Sequence, residues 1–598
     1  MLKLLKYMGK MEWLQAALSL VFVVVQVWLN LKLPDYMSRI TVLVETPNSQ
    51  MSDIWIAGGK MLLCALGSFV ATVIVAFLSS RIAASFSQTL RSLQFKKVDS
   101  FSMAEINSFS TASLITRSTN DVTQVQLLIV MGLQILIMAP ITAVWAIVKI
   151  AGKGVEWTVA TGVAAGILLV MFAVILALVV PKFKRVQSLT DNISRVTLEN
   201  LTGLRVVRAY NAEGYQEGKF DDANTELTNT QLFTSRGMAV IFPTISLIMN
   251  GLNLAIYWIG AALINSAGMA DKITLFSNMV VFSSYAMQVI MAFMMVVMIF
   301  ILLPRAQVSA QRINEVLDTK STIVDGTAEA GLAGQEGTVT FDHVSFKYPD
   351  AADYVLNDVS FTAKKGETVA FIGSTGSGKS SLVNLVPRFY DASKGSVSID
   401  GVNVKEYSHD ALTKKIGYVP QKAVMFQGNV ASNVAFGQDA DERSQEGVEK
   451  AVSIAQAEEF VSKMPDTYDA PIAQSGQNVS GGQKQRLSIA RAVYRKPEVY
   501  IFDDSFSALD YKTDKVLRKA LKEQTQGVTS LIVAQRIGTI MDADQILVID
   551  QGKVVGKGTH RELLATNDVY RQIALSQLSA EELDMGTEKS EEMGELEK

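Results

Sequence analysis

The run Gly373-Ser374-Thr375-Gly376-Ser377-Gly378-Lys379-Ser380 fits the pattern G-x-x-x-x-G-K-[ST], whose chemistry is phosphate binding. An apolar strand within 367–372 leads into it, and the helix-compatible run SLVNLV follows. The glycines let backbone N–H groups wrap phosphates, and the helix start adds a partial positive charge. Lys379 is placed to neutralise the β- and γ-phosphates and the Ser380 hydroxyl to ligate Mg2+; Ser381 is counted with the nucleotide-contacting residues. Downstream, the apolar strand Val499-Tyr-Ile-Phe-Asp503 ends in an acid that would hold Mg2+ directly or through water. This context predicts an α/β P-loop nucleotide-binding domain over 338–578, with ATP and Mg2+ as its ligands. The small, Gly-rich stretch 318–337 reads as a linker.

Upstream the chain changes solvent. A bilayer-spanning helix needs about 20 mostly apolar residues, and six such runs precede residue 310: Trp13–Leu33, Ile54–Ser79, Val125–Ile150, Trp157–Val180, Met238–Ile264 and Leu275–Leu303. Residues 1–317 are therefore expected to form an all-α transmembrane domain of six helices. The N-terminal MLKLLKYMGKMEW is basic and then apolar, with no small-residue cleavage site after it, so a retained first helix is expected. Cations concentrate before the first span and in the long connections after the second and fourth, for example Arg91, Lys96, Lys184, Arg185 and Arg208. By the positive-inside rule those segments and both chain ends face the cytoplasm, and the plasma membrane of a bacterium is the expected location. The stretch Glu199–Phe220 should turn between two helical extensions that leave the bilayer.

Composition agrees with a membrane half joined to a soluble half: of 598 residues, 49% are hydrophobic and 19% charged, values between the two classes. A net charge of −3 gives no basic face for a nucleic-acid partner. One cysteine, Cys64, excludes an intrachain disulfide and reads as a small buried hydrophobe. Met287, Met291, Met294, Met295 and Met298 share one face of the sixth span. That face could adapt to varied apolar ligands, or meet lipid or a neighbouring helix. No span shows a buried ion pair or an acidic row, which disfavours proton coupling and an ion channel. The Glu-rich 579–598 reads as a solvated tail.

Between the two phosphate-site elements lies Asn478-Val-Ser480-Gly481-Gly482-Gln483-Lys-Gln-Arg486, and with it the chain resembles an ATP-binding cassette (ABC) exporter half-transporter over almost its whole length. The resemblance implies that two nucleotide domains sandwich two ATP molecules. Each ATP would lie between the phosphate loop of one domain and the Ser480–Gln483 motif of the other. It further implies that Tyr348 stacks on adenine, that Gln421 touches Mg2+ and senses the membrane domain, and that Ser507–Asp510 crosses the dimer interface.

Two positions depart from the family pattern. The acid after Asp503, which polarises the attacking water, is usually glutamate; here it is Asp504. If the backbone is unchanged, its carboxylate sits up to about 1.5 Å further from the water, and a misplacement of about 1 Å can lower a rate on the order of 100-fold. The switch histidine is replaced by Gln535, which cannot carry an imidazolium charge. Gln474-Ser475 also stand where a Glu-Arg pair is common. The three changes resemble the degenerate-site subunit of heterodimeric bacterial multidrug exporters. The expected partner is a second half-transporter chain bearing the competent Glu/His site, and the expected cargo is a small hydrophobic or amphipathic molecule. A homodimer with two slow sites, a peptide or lipid exporter, and a non-transporting ATP sensor are the competing expectations.

Overall fold

The computed structural model describes residues 2–46, 49–151, 154–579 and 583. The chain forms two compact units: Met1–Asp99 with Ala112–Thr319, and Ser100–Thr111 with Lys320–Lys598. The expected acidic tail lies, apart from Ser579 and Leu583, outside the described residues.

Among the described residues of the first unit, six helical spans are long and apolar enough to cross a bilayer: Lys10–Glu45, Met51–Asp99, Thr111–Ile150, Val155–Thr202, Glu213–Ser266 and Asp271–Val296. Helices are the form such segments must take, because every backbone polar group needs an internal partner in hydrocarbon. Most outrun the expected spans. The Met51–Asp99 helix has 49 residues, about 73 Å at the α-helical rise, against a hydrocarbon core of about 30 Å. The fourth and fifth spans extend likewise and turn through the short helix Leu204–Ala209, as expected for 199–220.

The first span continues through Pro34 to Glu45 instead of ending near Leu33. This brings Asp35 into the bundle, where its Oδ2 accepts from Lys149 Nζ of the third span at 2.6 Å. The Tyr285 hydroxyl of the sixth span donates to Asp35 Oδ1 at 2.7 Å. The expectation was that no span carries a buried ion pair; the longer first helix adds this partly exposed one. Asp35 falls just past the apolar run that defined the expected span, so its charge was assigned to a loop. The pair is half-buried rather than deeply buried. Trp157 anchors the bundle core: fully buried, it donates from Nε1 to the Ile256 carbonyl at 3.1 Å and packs on Phe282. The methionine face of the sixth span divides. Met287 Sδ meets Asn253 Nδ2 and Met294 joins the bundle core, whereas Met291 and Met295 line a cavity.

The second unit is built on two sheets. One is four-stranded and antiparallel, in the order Leu356–Ala363, Val339–Phe346, Lys394–Ile399, Val402–Asn403. The other is six-stranded, in the order Lys553–Gly558, Gln545–Asp550, Thr368–Ile372, Thr529–Val533, Val499–Asp503, Ile416–Val419, and is parallel except at the first pair. Buried on both faces, its inner strands are near-continuous apolar runs, as parallel strands require. One face packs toward the four-stranded sheet, with Phe341, Phe361 and Phe371 in contact. The other packs on helices that include Gln445–Ile454 and Gly481–Tyr494.

The stretch read as a linker is docked rather than free. Gly326 and Ala328 N–H groups donate to the carbonyls of Tyr407 and Glu406, and Leu332 N–H to that of Asp400. Asp400 is fully buried and pairs at 2.6 Å with Lys415, which also holds Glu498 at 2.8 Å. Lys415→Ala would leave two carboxylates facing each other without a cation. The expected loss is about 3–5 kcal/mol of stability, read as a lowered thermal midpoint of the purified chain; an unchanged midpoint would refute the cluster's structural weight.

Candidate functional site

The phosphate loop leaves the central strand Thr368–Ile372 at its C-terminal end, the usual ligand edge of a parallel sheet. Gly376 and Gly378 hold φ of 84° and 100°, a region that disfavours side chains. A Cβ on Gly373 would collide with the Ile549 carbonyl, and one on Gly378 would come within 2.9 Å of the Val355 carbonyl. The glycines are therefore required by the loop's path. Lys379 Nζ folds over the loop, donating to the carbonyls of Gly373 at 2.9 Å and Ser374 at 2.7 Å and to Ser377 Oγ at 3.2 Å. Burial draws its ammonium below the ordinary lysine range, and Asp504 and Asp503 offset part of that.

The sheet brings the predicted metal residues together. Ser380 Oγ donates to Asp503 Oδ1 at 2.7 Å across 123 residues of sequence. Burial pushes the Asp503 carboxyl up, the Ser380 hydrogen bond pulls it back, and the neighbouring Asp504 charge raises it again. Burial likewise raises Asp504. Two buried acids with one shared lysine form a site that a divalent cation would relieve. Among the described residues no three His, Cys, Asp or Glu side chains converge on a metal site. The Ser380–Asp503 oxygens instead suit Mg2+ that completes its shell with phosphate and water.

Asp504 stands at φ 49°, a left-handed conformation that aspartate tolerates better than most residues. Its Oδ2 accepts from two side-chain amides, Gln535 Nε2 at 2.8 Å and Gln421 Nε2 at 3.1 Å. The sequence placed these three residues near one phosphate; the structure joins them to each other. Gln421, expected on Mg2+, directs its amide nitrogen to Asp504, leaving Oε1 as its cation-binding atom. Tyr348 OH pairs with Ser381 Oγ at 2.8 Å, which ties the candidate adenine platform to the end of the phosphate loop.

The Ser480 motif opens a helix, as its composition implies. Ser480 caps Gly481–Tyr494: its Oγ accepts from Gln483 N, and Gln483 Oε1 accepts from Ser480 N at 2.8 Å. This leaves the Gly481 and Gly482 amides at an exposed helix start, a phosphate-binding arrangement. Among the described residues no hydrogen bond joins Ser480–Gln483 to the phosphate loop of the same chain.

Two residues outside the motifs belong to the site. Gln577 braces the switch segment from 42 residues away, donating to the Gln535 carbonyl and accepting from Ile537 N–H, both at 2.8 Å. Tyr390 packs edge-on against Tyr348 at 5.1 Å between ring centroids and accepts from Asn107 Nδ2 at 3.0 Å. Neither is flagged by local spacing; an aromatic shortly after the phosphate loop is the only trace Tyr390 leaves in sequence.

A nucleotide site on a doubly covered parallel sheet, fused to six membrane-crossing helices, defines an ATP-coupled membrane protein. Comparison with known proteins agrees. Residues 16–302 match the ABC transporter transmembrane region and residues 356–507 the ABC transporter family model. An uncharacterized ABC transporter ATP-binding protein of Mycobacterium tuberculosis is 41% identical over 461 residues, covering 77% of this chain and 78% of that one. An ATP-dependent lipid A-core flippase of Pseudomonas fluorescens is 34% identical over 397 residues, covering 66% and 64%. The solved structure of a bacterial Atm1-family ABC exporter with ATP bound superimposes with a TM-score of 0.78 at 22% identity, covering 94% of this chain and 98% of that one. The chain belongs to the ABC transporter family: a multi-pass membrane protein that carries its own ATP-binding domain.

Gln577→Ala removes both braces on the switch segment. Amide exchange over 535–540 is expected to accelerate about fivefold, as the loss of about 1 kcal/mol implies, measured by hydrogen–deuterium exchange; unchanged protection would show that the brace is idle.

Proposed function

We propose that this chain is one subunit of an ATP-driven exporter, paired with a different half-transporter, in which its own phosphate loop binds ATP and hydrolyses it slowly. The observation that carries the reading is the double amide grip on Asp504. A general base needs a carboxylate oxygen within reach of the proton it abstracts. Burial raises the Asp504 carboxyl, so its handicap is positional: the oxygen that accepts both amides is already occupied when a water arrives. Glutamate would reach further toward a water, and a histidine could bring positive charge to a γ-phosphate; Asp504 and Gln535 do neither. For binding, the glycine loop, Lys379, Ser380 and Asp503 would hold phosphate and Mg2+, with Tyr348 beside adenine; the Ser380–Asp503 hydrogen bond supports this. Mg2+ would neutralise charge on the β- and γ-phosphate oxygens. Ser480, Gly481, Gly482 and Gln483 would complete the partner's competent site.

In this reading the long cytoplasmic extensions transmit closure of the nucleotide domains, both termini lie in the cytoplasm, and the cargo is hydrophobic or amphipathic. A lipid cargo is the second reading, favoured by the similarity to lipid A-core flippases.

Two measurements test the assignment. In the assembled pair, Asp504→Ala should change ATP turnover less than about twofold, while removing the partner's corresponding acid should lower it about 100-fold or more. Robust hydrolysis by the purified chain alone would overturn the weak-site reading. Conversely, Asp504→Glu combined with Gln535→His should raise hydrolysis at this chain's own site by about 10- to 100-fold, read as phosphate release; no gain would place the defect elsewhere.

A further inference from the structure

Helix Tyr511–Gln524 of the ATP-binding unit turns an apolar side inward and a basic side outward. Leu517 and Leu521 are buried in the unit's core. Asp514, also buried, pairs with Arg518 at 3.0 Å. Lys512, Lys515, Lys519 and Lys522 are exposed, and steps of three and four residues set them along one side of the helix. Like charges at these spacings repel, so the row gains from an anionic partner. Glu459 offsets part of the charge of Lys512, and Lys519 meets Glu523 at 3.8 Å. Among the described residues Lys515 and Lys522 join no ion pair.

The same chain carries an anionic stretch of matching pattern. Residues 584–598 hold Asp584, Glu588, Glu591, Glu592, Glu595 and Glu597 against Lys589 and Lys598, a net charge of −4. Glu588, Glu591 and Glu595 repeat the three- and four-residue steps of Lys512, Lys515 and Lys519. The root of this stretch is anchored close to the helix. Leu583 is 3% exposed and belongs to the same hydrophobic core as Leu517 and Leu521. Shortly before it, Gln577 accepts from the Ile537 N–H at 2.8 Å, and Arg518 of the basic helix donates to the Thr539 carbonyl at 3.2 Å. One short segment, 537–539, thus holds both the root and the helix. The 15 residues after Leu583 can reach up to about 50 Å when extended, whereas the lysine row covers about 15 Å.

We propose that the acidic stretch 584–598 docks on the Lys512–Lys522 face of its own chain. Single exposed ion pairs contribute little, but several on a short tether act at an effective concentration of about a millimolar. The docked stretch would hold helix Tyr511–Gln524 from outside, whereas Gln577 braces the adjoining segment from within. That helix starts on Asp510, the last residue of the Ser507–Asp510 loop, so the restraint would extend to the loop. The contacts are solvent-exposed, and ionic strength should govern them. Docking needs neither ATP turnover nor cargo.

The test uses the purified full chain in phosphatidylcholine nanodiscs, mixed in equal parts as isotopically light and heavy protein. A zero-length carbodiimide joins carboxylates to amines in direct contact, and mass spectrometry locates the new amide bonds. At about 50 mM salt, bonds from the 584–598 carboxylates to Lys515, Lys519 or Lys522 are expected within copies of one isotope. At about 500 mM they should fall about tenfold. Glu588→Gln, Glu591→Gln, Glu592→Gln and Glu595→Gln combined should speed amide exchange over 511–524 about threefold at low salt. High salt should bring the unaltered chain to the same rate. Three results would each overturn the docking: bonds spread evenly over lysines elsewhere, bonds that join light to heavy chain, or exchange that the four substitutions leave unchanged. The second would assign the contact to a neighbouring copy.

Discussion

The register of three parallel strands governs the ATP-binding unit. Val533 lies opposite Phe371 on one side and Asp503 on the other, so the three strands end level. Their continuations are the phosphate loop, Asp504 and the Ala534-Gln535 turn. A slip of one residue would reverse every side chain between the faces of the sheet and carry Asp503 away from Ser380. The apolar cores on both faces fix that register, so burial of residues such as Phe371, Ile501 and Leu531 indirectly positions each polar atom of the site.

The same edge sets the electrostatics. Asp503 and Asp504 are adjacent, buried and raised in pKa by that burial, and Lys379 is the cation they share. Such a cluster favours ligands that bring both positive and negative charge, as a metal-bound triphosphate does. Binding and bond cleavage then make separate demands. In the proposed reading the loop and Asp503 meet the first. The second needs a free, well-placed base, and Asp504 is occupied by Gln421 and Gln535.

Features set by local spacing were legible in the sequence. The glycine loop, the acid at the end of an apolar strand and the Ser480 helix start each depend on a few consecutive residues, and each took the expected form. Long-range features were not. Gln577 reaches the switch segment through tertiary folding alone, and nothing near it in sequence marks the contact. The 318–337 stretch has linker composition, yet its backbone groups find partners around Tyr407 and Asp400. Pro34 and Asp35 read as the end of a span, but a helix that leaves the apolar run can absorb a proline when neighbours pack against it. The methionine face was visible as a helical stripe. Its division among a core, a polar contact and a cavity depends on which neighbours the helix meets along its 50 residues.

The capping box at Ser480 is complete within one chain. Both of its hydrogen bonds are intramolecular, and the helix they start is packed into the domain core. The donors at that helix start are thus ordered when the domain folds, not when a phosphate or another surface arrives. Association at such a face loses less conformational entropy, because its side chains need not be immobilised anew. A rigid face of this kind gains affinity steeply from each added contact. The presence or absence of a single phosphoryl group can then separate a long-lived encounter from a brief one.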